Sequence, residues 1–168
     1  HNVENMANMF CGAIKFDQNI KKWNTSKVTD MSGMFFNAKN FNKYIGTWDT
    51  NKVENMGGMF RNAVVFNKPI QFWKTGNVKN MKGMFDDAKE FDQDISKWDT
   101  SEVRNMADMF FGAIKFNQDI SNWNLSKVEN IERMFQGAKN FNFGEVLLGK
   151  NFIYLQKNVK WDLSKVRD

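Results

Sequence analysis

The sequence predicts an α/β solenoid, with one short helix and one short parallel strand in each 25-residue turn. Three observations lead there. Tryptophan recurs at 23, 48, 73, 98 and 123, always 25 residues apart. Other columns keep the same step: Val3 to Val128, Met6 to Met106 continued by Ile131, Met9-Phe10 to Met134-Phe135, Ala13 to Ala138, Phe16 to Phe141 and Ile20 to Ile120. Within a unit, Val28, Met31, Met34, Phe35 and Ala38 have the spacing of one helical face.

The helix is expected from about Ser26 to Lys39 and its equivalents. Thr25-Ser26 reads as its N-cap, because a hydroxyl can accept a bond from an unpaired amide of the first turn. Asn24, Asp49, Asp99, Asn124 and Asp162 suit the same turn and the helix dipole. Gly12, Asn37 and Asn62 shorten the helix. In the other half of the unit, Ile45 to Trp48 is the best candidate for an extended segment. Stacked on its equivalents it would form a parallel ladder with strands about 4.8 Å apart. The intervening helix supplies the long crossover that parallel neighbours need. A weaker 50-residue rhythm, Ala-Ile-Lys-Phe alternating with Ala-Lys-Asn-Phe, reads as pairwise duplication.

Two polar columns are as regular as the apolar ones: Asn5, Asp30, Asn55, Asn80, Asn105, Asn130, and Asp17, Asn42, Asn67, Asp92, Asn117, Asn142. Side chains repeated in this way are expected to bond the backbone of the adjoining coil, whose buried groups need partners. Asp92, Asp94 and Asp99 also suggest calcium, which takes six to eight oxygens. Other units hold Asn, Tyr or Pro at these places, so a structural ladder is preferred and no metal or cofactor is expected. All eleven methionines fall in two columns and read as core filling rather than a soft binding surface. Cys11 is the single cysteine; its column varies freely, which marks it as solvent-facing.

Residues 1–141 are tandem repeats, 142–160 an atypical insertion or cap, and 161–168 the start of a further repeat, with Trp161 arriving 38 residues after Trp123. Hydrophobic residues make up 42% of the chain and lie almost wholly in repeat columns, as a stacked core requires. No run approaches a membrane span. No leader or lipidation motif is visible, so membrane association is expected only through a lipid anchor outside these residues. The net charge of +5 reads as ordinary solubility charge, and nucleic-acid binding is not expected.

Residues 91–116, FDQDISKWDTSEVRNMADMFFGAIKF, carry the pattern F-[ND]-Q-D-I-S-x-W-[DN]-T-S-x-V-x-[ND]-M-x-x-M-F-x-x-A. It resembles the repeat of BspA-like leucine-rich-repeat surface proteins, abundant as mycoplasma lipoproteins. The likeness covers roughly 3–141 and 161–166. Departures are 142–160 and the third unit, where Pro69, Phe72, Lys74 and Gly76 break the consensus. The resemblance implies a right-handed leucine-rich-repeat-like solenoid at the cell surface or outside the cell, with adhesion or protein contact as its work. It offers no catalytic residues to carry over.

The residues themselves agree with that last point. His1 is the only histidine, so no Ser-His-Asp or Cys-His arrangement can be built, and no nucleotide-binding motif is present. No enzyme and no small-molecule substrate are expected. Binding is expected where units differ, because constant columns build a solenoid core and variable ones face outward. Lys43, Tyr44, Thr47, Lys68, Pro69, Gln71 and Phe72 depart most from their equivalents, and two aromatics flanked by lysine suit a binding hot spot. The expected partner is a protein or host-surface ligand, and open ends would also permit end-to-end self-association. The competing expectation is a structural spacer or coat element whose outer columns bind nothing, or a weak polyanion binder.

Overall fold

The computed structural model describes residues 3–141, 143–148, 151–156 and 164–166. Numbered from each valine, coils 1 to 6 begin at Val3, Val28, Val53, Val78, Val103 and Val128. They lie on one another in register, and the expected columns become continuous ladders.

The coils are not built from a helix and a strand. Among the described residues the repeats contain no helix and no strand longer than a single bridge. The reason is local. Gly33 and Asn37 both have φ of +58°, and every equivalent in the other coils is also positive. A left-handed residue disfavours continuation of a right-handed helix, and here one returns four residues after the last. Backbone amides therefore follow two patterns in alternation. Met34 and Phe36 close tight turns onto the carbonyls of Met31 and Gly33, at 3.2 and 2.9 Å. Met31, Gly33, Phe35 and Asn37 donate instead to Asn55, Gly57, Met59 and Arg61 of the next coil, at 2.8–2.9 Å. These amides thus find partners without a helix.

The expected strand is corrected as well. Ile45 to Trp48 forms a turn, closed by the Trp48 amide on the Ile45 carbonyl at 3.1 Å. Parallel pairing occurs in the other half of the unit, as isolated bridges Asn5–Asp30, Asp30–Asn55 and onward to Asn130. Thr25-Ser26 has no helix to cap. The Thr25, Thr50, Thr75 and Thr100 hydroxyls are buried and donate to backbone carbonyls one coil on, at 2.9–3.0 Å.

The polar columns divide their roles. Asp17, Asn42, Asn67 and Asp92 accept the amide 25 residues ahead, at 2.9–3.0 Å, as the sequence suggests. Asn5, Asp30, Asn55 and their equivalents accept the amide two residues on in their own coil, at 2.7–3.0 Å. The second arrangement fixes the turn from which the ladder starts.

The core runs the length of the stack. Phe35, Phe60, Phe85 and Phe110 follow one another with ring centroids 5.5–5.6 Å apart. Each also stacks on the second phenylalanine of its own coil, as Phe85 does on Phe91 at 3.8 Å. The tryptophans repeat at 6.4–6.5 Å, and the Trp48, Trp73, Trp98 and Trp123 indole N–H groups donate to the isoleucine carbonyls of the coil before. Ten of the methionines are buried; Met9, in coil 1, is exposed.

Within 142–160, β1 (Phe143–Leu148) and β2 (Asn151–Gln156) pair antiparallel, Phe143 opposite Gln156 and Leu148 opposite Asn151. In the segment 161–168, Val166 is partly buried against the repeat core.

Candidate functional site

Coils 1 to 5 each turn a corner after the second phenylalanine, over residues 42–49 in coil 2. In coils 1, 4 and 5 this corner is held by an aspartate-type turn. Asn19, Asp94 and Asp119 accept the amides of Lys21, Ser96 and Ser121 at 3.2, 2.9 and 2.9 Å. Hydrogen bonds from the Ser96 hydroxyl and amide hold the Asp94 carboxyl below the ordinary aspartate range, because they favour its charged form. Tyr44 and Pro69 occupy the same column in coils 2 and 3 and cannot make this bond. These two coils present something else.

The ring of Tyr44 lies over Gly46 and towards the next coil. A β-carbon on Gly46 would stand 2.7 Å from that ring and 2.5 Å from the Pro69 carbonyl oxygen. The equivalents of Gly46 are Lys21, Gln71, Ser96 and Ser121, so the glycine is specific to the coil that carries the tyrosine. Three departures, Tyr44, Gly46 and Pro69, therefore meet at one point.

The remaining expected residues gather on the same corner. Phe72 is 66% exposed and Tyr44 40%, against none for the core phenylalanines of coils 2 to 5. Pro69 is exposed; Lys68 and Gln71 are half-buried. The Thr47 hydroxyl donates to the Lys21 carbonyl at 3.1 Å, which ties it to the coil below. Lys43 pairs with Asp17 at 2.6 Å. Burial opposes ionisation of Asp17, but the Lys43 hydrogen bond, the Asn42 amide and the charges of Lys43 and Lys68 outweigh it and hold the carboxyl low.

Asp92, Asp94 and Asp99, weighed above as calcium ligands, each bond a different backbone amide, of Asn117, Ser96 and Ser101. Among the described residues no group of three metal-ligating side chains converges. Cys11 is exposed.

The stretch after the first phenylalanine of the coils carries a feature that the sequence pattern did not reveal. Asp86 is only 6% exposed and pairs with Arg61 at 2.9 Å. Asp108 pairs with Arg133 at 2.8 Å, and each arginine lies over a phenylalanine, Arg61 over Phe36 and Arg133 over Phe111. Burial pushes the Asp86 carboxyl up; Arg61 opposes this, while Asp87 and Asp108 reinforce it. The signal was present in two variable columns, one read only as an indifferent surface, whose charges become complementary one coil apart. Ion pairs Lys79–Glu54, Lys115–Glu90 and Lys127–Glu102 follow the same one-coil rule. A concavity of about 490 Å³ lies where Arg104, Ser126, Lys127 and Glu129 meet Ser164, Lys165 and Val166. Its Arg104 and Lys127 are already paired with Glu129 and Glu102.

Stacked coils with a private core, and one corner where the coils stop resembling each other, define a repeat protein with a differentiated surface patch. Residues 1–94 and 66–168 match the family described as Mycoplasma protein of unknown function, DUF285, and the chain belongs to that family. No curated protein and no solved structure matches the chain.

Proposed function

We propose that this chain is a non-catalytic interaction module of a cell-surface or extracellular protein, and that it holds a protein or host-surface ligand at the corner of coils 2 and 3. The support is the joint departure of Tyr44, Gly46 and Pro69 from their columns. A stray tyrosine on a repeat surface needs no glycine two residues on. A tyrosine accommodated by its neighbours, beside a phenylalanine that stands 66% exposed, has the make-up of an interface anchor. Lys68 at its edge favours a partner with acidic groups. The resemblance of the repeat to BspA-like surface proteins supports the location, with any lipid anchor lying outside these residues. No cofactor and no small-molecule substrate enter this reading.

The test is capture of host or culture-surface proteins by the folded chain and by a Tyr44→Ala/Phe72→Ala variant. We expect the captured protein to be lost from the variant at unchanged melting temperature. Equal capture by both proteins removes the patch from the function and leaves the spacer reading in its place.

A further inference from the structure

The corner differs along the stack in charge as well as in aromatic content. In coils 1 to 3, residues 17–24, 42–49 and 67–74 carry five lysines against two aspartates. In coils 4 and 5, residues 92–99 and 117–124 carry one lysine against four aspartates. The ladders fix both sets on one side of the molecule, since the Trp48 and Trp123 indoles make the same bond to the coil before. Outside the corner, charges pair between adjacent coils. At the corner, Lys43–Asp17 is the one such pair among the described residues. Lys21, Lys22 and Lys74 are exposed there and make no ion pair with a described residue.

We propose that the corner pairs with the same corner of a second copy of this chain, antiparallel, so that the basic coils 1 and 2 of each copy face the acidic coils 5 and 4 of the other, and coil 3, with Phe72, faces its own counterpart. This rests on the patch being an interface, as proposed above, and names its partner. A twofold operation returns every contact twice, so one self-complementary stripe serves both copies. Phe72 and Tyr44 lie towards the middle of the stripe and would supply its apolar contact.

Two considerations favour a second copy over a separate anionic partner. An anionic ligand explains the basic half alone, whereas a second copy uses both halves. A polyanion extended along the stack would also pass from attraction at coils 1–3 into repulsion at coils 4–5. Five coils at about 4.8 Å span only about 20–25 Å, so a single corner buries a small area. The dimer is therefore weak, and because its charges are exposed it is sensitive to salt.

Charge exchange tests the register. Lys21→Glu/Lys22→Glu makes the coil 1 corner acidic without touching the Lys21 carbonyl that Thr47 uses. Ser121→Lys/Asn122→Lys gives coil 5 the lysine pair that coil 1 has. Sedimentation equilibrium of the whole chain, at about 10–500 μM and about 20 mM salt, should show dimer that disappears near 0.5 M salt. Each variant alone should be monomeric, with like charge facing like at both ends. An equimolar mixture should restore the dimer, because one variant's glutamates then meet the other's lysines. A monomer throughout at low salt overturns the proposal. So does a dimer unaffected by Lys21→Glu/Lys22→Glu, or a mixture that stays monomeric. Binding of heparin or anionic vesicles without self-association would assign the lysines to a different partner and overturn it too. Capture of another protein lost on Tyr44→Ala/Phe72→Ala, by a chain that is monomeric, would leave the patch standing and sink the self-pairing alone.

Discussion

The two sides of the stack solve one problem in different ways. Along residues 29–38 and their equivalents, alternate amides donate to the next coil, and charged columns pair one coil apart. There the backbone itself is the repeated object, and side chains vary only within what the ladder accepts. At the Ile-Trp corner, the inter-coil bonds come from side chains: the indole to the isoleucine carbonyl, and Asp17 or Asn42 to the amide of the next coil. Between those anchors Ile45 stays in the core and Thr47 and Lys43 still reach the coil before, but the exposed positions are less constrained. Tyr44, Pro69 and Phe72 occur at the corner because nothing in the neighbouring coil requires an aspartate there. A repeat protein can thus hold its architecture on one side and differentiate on the other.

The largest effect that sharpens this contrast is a pair of phenylalanine truncations. Phe85 is fully buried and touches Phe60, Phe91, Trp98 and Phe110 in three successive coils. Phe85→Ala should cost about 3–5 kcal/mol in denaturant unfolding, since the stack cannot collapse around the cavity. Phe72→Ala should change stability by less than about 0.5 kcal/mol. Comparable losses at the two sites would mean that Phe72 belongs to the core.

The period, the core columns and the exposure of Tyr44, Pro69 and Phe72 were legible in the sequence; the backbone was not. Val28, Met31, Met34 and Ala38 step by three and four, which is helical spacing, but successive three-residue turns also bring roughly every third side chain inward. Hydrophobic period alone cannot separate the two. The distinguishing signal was the pair of columns containing Gly33, Gly58, Gly83 and Asn37, Asn62, Asp87, the residue types that tolerate positive φ. Reading only some of them as helix ends missed that they recur four apart in every coil. Arg133 and Asp108 share the first column, so its rule is conformational rather than chemical. The link between Tyr44 and Gly46, and the division of charge along the corner, required neighbouring coils to be placed in register first.

A middle-sized effect tests the conformational rule. Gly83 has φ of +59°, and a β-carbon there meets only ordinary contacts with Asp86. Gly83→Ala should therefore destabilise by about 1–2 kcal/mol through backbone strain alone. Gly83→Asn should recover much of that loss, because Asn8 holds the same position in coil 1 at φ of +56°. At the corner, Ser96→Ala should have a smaller effect than Gly83→Ala, since no left-handed residue is involved. Equal losses from Gly83→Ala and Gly83→Asn would point to crowding instead of strain.

The smallest effect separates the two sides by pH. Burial raises Asp86, so the folded chain binds that proton more tightly than the unfolded chain does. Its contribution to stability is present at low pH and is lost as pH rises from the ordinary aspartate value through its higher folded value. Asp94 and Asp99 at the corner are held low, chiefly by hydrogen bonds from the hydroxyls of Ser96 and Ser101 and then by their amides. They act in the opposite sense: their contribution is complete above the ordinary value and is lost as pH falls through their lowered ones. Acidification therefore weakens the corner while it relieves the buried acid on the other side. Melting temperatures between about pH 3 and 6 should fall more steeply for Asp86→Asn than for the parent chain, because the opposing contribution is gone. For Asp94→Asn the fall should be shallower. Parallel acid limbs for all three proteins would show that neither carboxyl changes its proton affinity on folding, and the electrostatic contrast between the two sides would go with them.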